Sequence, residues 1–274
     1  MARMDPLYRH WNADQGRHGF TQIWRQQFPA TPHSAPTRVL PSHSCDLVFN
    51  FGDPFERVSD QGSSRLPAIH LVGPLTRYLA VRATGSTDLL IGRMPAWSLF
   101  PLFGVPAEAL TDQVVALSDL PKGRWVTEVE RFEAESIHLH LTSQQRPIQD
   151  PGLVCAALRQ IQASSGQTRT SALAADLGVS RRHLCRLFQR SIGYGPKSAA
   201  SLARFHNAIA LLVSGLSGAA LAAEAGYADQ PHLIRSITQR CGLSPSQILK
   251  LPDSALKRRF NHSARSQIFK TVYL

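Results

Sequence analysis

The sequence predicts a multidomain α+β protein, in which a mostly β N-terminal domain, a sandwich or barrel, precedes an all-α domain. Two observations carry this prediction. Hydrophobic periodicity changes from short strands to helices along the 274 residues, and a helical segment near the C-terminus occurs twice. Two domains also suit the length, since typical domains have roughly 100–200 residues. We place the domains at 1–146 and 151–250, followed by a basic tail at 251–274.

The repeat lies in the all-α part. Ser171-Ala-Leu-Ala-Ala-Asp-Leu-Gly178 recurs 48 residues later as Ala219-Ala-Leu-Ala-Ala-Glu-Ala-Gly226. One residue is then inserted and the offset becomes 49, which pairs Arg186 with Arg235, Gly193 with Gly242 and Pro196 with Pro245. Each copy predicts a short Ala-rich helix, a turn at Gly and a second, basic helix, which is the helix-turn-helix plan. We call these segments the first copy and the second copy.

Helix boundaries in this half follow from caps and apolar spacing. Ser180 and Asp229 precede the basic helices and are typical N-caps, because their side chains accept free first-turn N–H groups. The first helix should turn Leu153, Ala157, Leu158 and Ile161 inward. The predicted helices are 151–163, 171–177, 181–191, 196–213, 219–225 and 230–240.

The N-terminal half reads as short strands separated by Pro, Gly, Ser and Asp clusters. The six candidates are Phe20–Phe28, Thr37–Leu40, Cys45–Phe51, Ala68–Gly73, Leu79–Arg82 and Thr87–Ile91. The segment Pro106–Leu110 resembles a helix start, and 123–141 could form one longer helix. The polar stretch Thr142–Gly152 is taken as the interdomain linker.

Charge separates the two halves. Residues 1–150 hold 14 basic and 15 acidic residues, whereas residues 151–274 hold 16 and 4. Such asymmetry predicts a polyanionic partner for the C-terminal half alone. Nucleic acid fits, because Lys and Arg that neutralise phosphates release condensed counterions. A basic but inert domain, or one that binds anionic membranes, is the alternative on charge alone.

The four cysteines show no CxxC spacing and are interpreted as reduced thiols of a cytoplasmic protein. No apolar run approaches the ~20 residues of a membrane span, and the first residues, MARMDP, lack an apolar signal-peptide core. We therefore expect no membrane partner and a cytoplasmic location.

No catalytic set or cofactor motif is found in the N-terminal half. His33, His43 and Cys45 have no metal-binding pattern, and we expect no metal and no cofactor. One set of aromatic residues could line an effector pocket, although core packing explains each of them better: Trp24, Phe49, Phe51, Trp97 and Phe100.

The C-terminal half resembles the DNA-binding domain of the AraC/XylS family of bacterial transcription regulators. The motifs that carry the resemblance are Leu173-Ala174…Gly178-Val-Ser180…Leu184-x-Arg186-x-Phe188, Gly193…Pro196, Arg204…Ala208, Gly226-Tyr-Ala-Asp229-Gln230-Pro-His232-Leu-x-Arg235 and Gly242-Leu-Ser-Pro245. Ile237 departs from the usual Phe, and Ile248-Leu-Lys250 from the usual aromatic-x-Arg. Two N-terminal stretches resemble sensor domains attached to such proteins, Leu40–Gly52 and Leu102–Asp112.

The resemblance implies that both basic helices enter successive major-groove segments on one face of the duplex. Arg186 and Arg235 would then each donate two hydrogen bonds to a guanine. The alternatives for both residues are a contact with a phosphate or a salt bridge within the domain. His183 either packs at the helix start or touches a phosphate. The candidate DNA-binding residues are Arg181, Arg182, His183, Cys185, Arg186, Gln189, Gln230, Pro231, His232, Arg235 and Gln239.

We therefore expect a transcription regulator and not an enzyme, with double-stranded DNA and RNA polymerase as partners and a small-molecule effector at the N-terminal domain. One alternative is an enzyme that the basic domain delivers to DNA, with Cys45 beside Asp46 as nucleophile. The other is an architectural DNA-binding protein without an effector.

Overall fold

The computed structural model of the protein describes residues 7–11, 20–30, 35–121 and 152–251. In the N-terminal part, ten strands are described: β1 (Leu7–Trp11), β2 (Gln22–Phe28), β3 (Thr37–Val39), β4 (Ser44–Asn50), β5 (Phe55–Ser59), β6 (Gly62–Arg65), β7 (Ile69–Val72), β8 (Leu79–Ala83), β9 (Thr87–Pro95) and β10 (Val114–Ala116). They form two antiparallel sheets. The larger has the order β1-β2-β9-β4-β7-β10, and the smaller has the order β3-β8-β5-β6.

Each of the six predicted strands is present, with ends shifted by a few residues. The largest shift is in β9, which continues to Pro95. Strands β1, β5, β6 and β10 were not predicted. The reason is clearest for the β5–β6 hairpin, where β6 is exposed throughout and offers no apolar alternation.

The segment after β9 contains short helical turns. The apolar residues Leu99–Phe103 form helix α1, while the predicted helix start at Pro106 is only a 3₁₀ turn over Ala107–Leu110. The predicted helix at 123–141 and the predicted linker Thr142–Gly152 lie outside the described residues, apart from Gly152 itself.

The larger sheet is buried on both faces. Successive side chains of a strand point to opposite sides, so one strand contributes to two different clusters. In β4, Leu47 and Phe49 belong to a buried cluster that continues into the helices. Val48 points the other way and packs with Trp24, Ile91 and other buried residues between the two sheets.

Residues 152–251 of the C-terminal part are all-α. The helices are α2 (Gly152–Ala163), α3 (Thr170–Asp176), α4 (Arg181–Ile192), α5 (Pro196–Val213), α6 (Gly218–Glu224), α7 (Gln230–Cys241) and α8 (Pro245–Leu249). The six predicted helices agree with α2–α7 to within a residue, and α8 was not predicted. The prediction that Leu153 faces inward is wrong: it is 37% exposed, and Val154 beside it is buried instead.

One hydrophobic cluster joins the two parts of the fold. It contains Leu99, Phe103 and Leu110 of the N-terminal part together with Leu184 and Phe188 of α4. The architecture is therefore the predicted α+β one, a two-sheet β domain followed by a helical domain, with a shared core. Among the described residues no helix is long and apolar enough to cross a membrane.

Candidate nucleic-acid interface

Helices α4 and α7 occupy equivalent places in the two copies. Leu184, Phe188 and Ile192 are buried in α4, and their partners at the offset of 49, Leu233, Ile237 and Cys241, are buried in α7. A residue midway between the first two of each trio lies about 200° around the helix, given 3.6 residues per turn. That residue is Arg186 in α4 and Arg235 in α7, and both are exposed.

The turn before each of these helices is built in the same way. Gly178 and Gly226 adopt left-handed φ values of 66° and 74°, which a Cβ would strain. In both copies the N–H of the glycine and that of the next residue bond back to the preceding helix, as in a Schellman motif. The preserved turns give both helix pairs the same local connection.

Both basic helices also begin with the predicted side-chain caps. The Ser180 hydroxyl accepts a hydrogen bond from the N–H of His183 at 3.2 Å. The Asp229 carboxylate accepts one from the N–H of His232 at 2.6 Å. The caps therefore satisfy a first-turn N–H in α4 and in α7.

In the first copy, the central arginine has a neighbour on its own helix. Nη2 of Arg186 donates a hydrogen bond to Nδ1 of His183 at 3.1 Å. Residues three apart lie on the same side of a helix, so this contact holds the guanidinium along the exposed face. The sequence suggested two roles for His183, packing at the helix start or touching a phosphate. The geometry adds a third role, because the His183 side chain orients that of Arg186.

In the second copy an aromatic residue, Tyr227, contacts the histidine that precedes the central arginine. Tyr227 lies edge-on to the ring of His232 at 5.2 Å between centroids, and its hydroxyl shares a hydrogen bond with Ser236 at 3.1 Å. The guanidinium of Arg204 lies 6.0 Å from the centre of the Tyr227 ring. No described residue pairs with Arg235, whose guanidinium is left to face solvent.

The predicted DNA-binding residues form one exposed surface on each helix. His183 and Cys185 are half-buried, and the other nine are exposed: Arg181, Arg182, Arg186, Gln189, Gln230, Pro231, His232, Arg235 and Gln239. Residues 152–251 hold 11 Lys and Arg against 3 Asp and Glu. Within the described residues neither Arg186 nor Arg235 forms an ion pair, which removes the salt-bridge alternative there.

The N-terminal candidates do not assemble into a chemical site. Cys45 is fully buried, and burial, reinforced by the Asp46 carboxylate, raises its pKa well above the usual range. Both carboxylate oxygens of Asp46 accept hydrogen bonds from Arg93, at 2.8 Å each. A nucleophilic cysteine needs a thiolate, so this environment disfavours the role considered for Cys45.

The five aromatic residues do not line one pocket. Trp24 and Phe49 are buried in different clusters, on opposite faces of the larger sheet. Trp97 is half-buried, and Phe51 and Phe100 are exposed. Within the described residues no group of three His, Cys, Asp or Glu side chains could hold a metal ion, and His33 lies outside them.

Two residues near the interface were missed by the sequence reasoning. Tyr227 follows the turn glycine, and the single inserted residue of the second copy, which changes the offset from 48 to 49, marked the place where the copies differ. Arg240 in the last turn of α7 carried no such signal, because its partners Thr76 and Ser201 are distant in sequence.

Comparisons with known proteins agree with this architecture. The family model described as "Helix-turn-helix domain" matches residues 173–251, and the one described as "Domain of unknown function (DUF6597)" matches residues 19–116. No curated protein matches the chain significantly.

Similar solved structures are distant. ToxT from Vibrio cholerae is 12% identical, with 84% of this chain and 98% of that chain covered and a TM-score of 0.45. The C-terminal domain of AraT, a response regulator from Geobacillus stearothermophilus, is 22% identical, with 43% and 93% covered and a TM-score of 0.34. The AraC-like transcriptional activator CuxR is 16% identical, with 66% and 72% covered and a TM-score of 0.31. The predicted helices are thus present where the helix-turn-helix family model matches, and the two-sheet β domain lies where the DUF6597 model matches.

Proposed function

We propose that the protein is a DNA-binding transcription regulator whose helices α4 and α7 read successive major-groove segments on one face of a duplex. The observation that carries the proposal is the equivalence of Arg186 and Arg235. Both lie at the centre of an exposed helix face, opposite a buried trio, in a domain with a large excess of positive charge. An arginine in this position can donate two hydrogen bonds to guanine O6 and N7.

The N-terminal domain, in this proposal, carries the response to a signal, and RNA polymerase is the protein partner. Support comes from the extent of its contact with the DNA-binding domain, since the two share one hydrophobic cluster that includes α4. A ligand that favours one arrangement of this contact would shift DNA affinity by its difference in affinity for the two states. Thermal-shift screening of the whole protein against small metabolites tests for such a ligand.

The DNA-reading role is tested by selecting bound duplexes from a random library and measuring Arg186→Ala and Arg235→Ala on single-base variants of the selected site. Each substitution should weaken specific binding by about 1–3 kcal/mol and relax selectivity at a different base position. The two positions should lie roughly 10 base pairs apart, because both helices face the same side of the duplex.

Arg65→Ala is the matched control, because it removes the same charge from an exposed strand of the N-terminal domain. It should leave the base preferences unchanged. Equal weakening on every sequence would reassign both arginines to phosphate contacts. A protein that selects no sequence from the library, or whose affected positions lie half a helical turn apart, would overturn the proposed function.

A further inference from the structure

The C-terminal ends of α4 and α7 both rest on the N-terminal domain. Each helix ends at a glycine with a left-handed φ, 88° at Gly193 and 71° at Gly242, and the two glycines are equivalent in the repeat. We call them the exit glycines. No sequence rule requires the same point of both copies to meet the other domain, so the coincidence needs a structural explanation.

At the first exit glycine the contact is with a turn of the N-terminal domain. The Thr111 hydroxyl donates to the carbonyl oxygen of Gly193 at 3.0 Å and lies 3.1 Å from that of Ala107. A Cβ on Gly193 would overlap the Thr111 hydroxyl and come within 2.9 Å of the Ala107 oxygen. The helix end is therefore fitted against this turn without room for a methyl group.

At the second exit glycine the contact is as close. A Cβ on Gly242 would lie 2.6 Å from Cζ of Tyr78 and 3.0 Å from Nε of Arg38. Two residues earlier, in the last turn of α7, Nη1 of Arg240 donates to the carbonyl oxygen of Thr76 at 2.9 Å, and Nη2 donates to the Ser201 hydroxyl at 2.8 Å. The end of α7 is thus tied to the N-terminal domain and to α5 together.

The two contact points are joined inside the N-terminal domain. The Asp112 carboxylate accepts hydrogen bonds from the N–H and the hydroxyl of Thr76, which holds the α7 end. Asp112 follows Thr111, which holds the α4 end, and it adopts a φ of 58°. Such a backbone is strained in a residue other than glycine, and it persists where surrounding contacts hold it. We call Thr76, Thr111 and Asp112 the polar bridge.

We infer that the N-terminal domain is a clamp on the two DNA-reading helices, holding the end of α4 at Gly193 through Thr111 and the end of α7 at Arg240 through Thr76, and thereby setting the half-site spacing that the protein accepts. The inference rests on the proposed function. Helix α5 already joins the two copies on one side, and the polar bridge joins them on the other. Two separate connections between the same pair of helices restrict their relative motion more than one connection does.

Spacing is the property that a clamp controls. Inserting one base pair between half-sites moves the second one by 3.4 Å and rotates it by about 35°, since B-DNA has 10–10.5 base pairs per turn. A rigid helix pair cannot follow that change, whereas a loosened pair can follow part of it. The clamp therefore predicts a steep loss of affinity on insertion or deletion of one base pair.

The test compares affinities for the selected site with those for the same site lengthened or shortened by one base pair, using the full-length protein. Thr111→Val and Gly193→Ala loosen the contact at α4. Thr111→Val should reduce the affinity ratio between optimal and altered spacing by about 2–10-fold, the effect expected from losing one hydrogen bond. Gly193→Ala should reduce the ratio in the same direction, because its Cβ would overlap the Thr111 hydroxyl and push the helix end away. Thr84→Val is the control for the first, because the Thr84 hydroxyl bonds the Pro54 oxygen away from the helices. Gly62→Ala controls for the second, because Gly62 also has a positive φ, an added Cβ would meet nothing within 4 Å, and the residue lies in the β5–β6 hairpin away from the helices.

A distance measurement without DNA tests the clamp independently of the proposed DNA-binding function. Spin labels carried by unnatural amino acids at Gln189 and Thr238, exposed and equivalent positions, report the distance between α4 and α7 by pulsed electron resonance. The native protein should give one narrow distribution, which widens in the two loosened variants and not in the controls. Unchanged widths and spacing profiles in all four variants would overturn the clamp. Absence of sequence-specific binding by the native protein would overturn the proposed function instead.

Discussion

The two copies use the same scaffold but support their central arginines differently. In the first copy, Arg186 is hydrogen-bonded to His183 on its own helix. In the second, Arg235 has no partner among the described residues, and the neighbouring His232 is held by Tyr227. The helix ends differ as well, since Tyr194 follows the first exit glycine and Leu243 follows the second.

This difference teaches which features of the duplicated unit are required for the fold. The turn glycine, the N-cap and the three buried positions are kept in both copies, and these determine the helix pair itself. The contacts that surround each arginine differ, and these determine how the exposed face is presented. Equivalent positions therefore have equal structural roles but need not have equal roles in recognition.

The largest difference in stability between the two copies should come from substitutions in their cores. Phe188 and Ile237 are equivalent and fully buried. We expect Phe188→Ala to lower the free energy of unfolding by about 3–5 kcal/mol, and Ile237→Ala by about 2–4 kcal/mol, because the larger side chain leaves the larger cavity. Urea unfolding measures both. Gln189→Ala and Thr238→Ala, at the next and exposed positions, should change little, and a greater loss from Ile237→Ala would reverse the expected order.

A second difference between the copies should appear in how stability depends on pH. Nδ1 of His43 and the Tyr194 hydroxyl share a hydrogen bond of 2.5 Å beside the first exit glycine, and Nε2 of His206 donates to the Pro41 oxygen at 3.0 Å. Burial, with the nearby His206, lowers the pKa of His43 to about 3. Burial, opposed by the Pro41 bond and aided by Arg240, lowers the pKa of His206 to about 4. Leu243 gives the second copy no such group at this position.

These histidines stay neutral in the folded protein while the unfolded chain takes up protons below its ordinary pKa near 6.5. Stability is therefore full above about pH 6.5 and falls as the pH drops towards 4, by up to about 1.4 kcal/mol per histidine at pH 5.5. At pH 5.5 the two losses should be nearly equal, because the pKa values of both histidines lie more than a unit below that pH. Urea unfolding at pH 7.5 and 5.5 should show a smaller pH effect in His43→Gln than in the native protein. His70, whose pKa burial also lowers, contributes equally to both. An unchanged pH effect in the variant would contradict the assignment.

The smallest effect should come from the two N-caps. Ser180→Ala and Asp229→Ala each remove a side-chain acceptor for a first-turn N–H. We expect losses of about 1 kcal/mol in the free energy of unfolding. Asp229→Ala should cost more, since it also removes a negative charge from the positive end of a helix. High salt should shrink the difference between the two variants, and a difference that is independent of salt would argue against the charge as its cause.

Local signals made the helical half predictable. The repeat, the glycines and the caps each specify backbone structure within a few residues, and the helix ends agreed with them. Leu153 was misplaced because it and Val154 are both apolar and adjacent, so that spacing alone could not choose the buried one. Strand β6 was missed because its side chains are exposed, which removes the alternation on which strand prediction depends.

The exposed residues of the candidate interface were predictable from the sequence, but the contacts that hold the two helices in place were not. Exposure of Arg186 and Arg235 followed from helix periodicity, because each lies two residues from buried positions. Their contacts did not follow, since the partner of Arg240 is 164 residues away and the partner of Tyr194, His43, is 151 residues away. Pairs so distant in sequence are fixed by the packing of the two domains, which a single sequence does not reveal.

The shared hydrophobic cluster has a consequence for synthesis of the chain. The 3₁₀ turn Ala107–Leu110 packs against α4, which ends at Ile192. Ribosomes add about 5–20 residues per second, so the roughly 80 residues between Leu110 and Ile192 take about 4–16 s to make. During that interval the nascent N-terminal domain exposes apolar side chains, Leu99, Phe103 and Leu110 among them, that the finished protein buries. Aggregation of new chains should therefore be most sensitive to conditions that lengthen this interval.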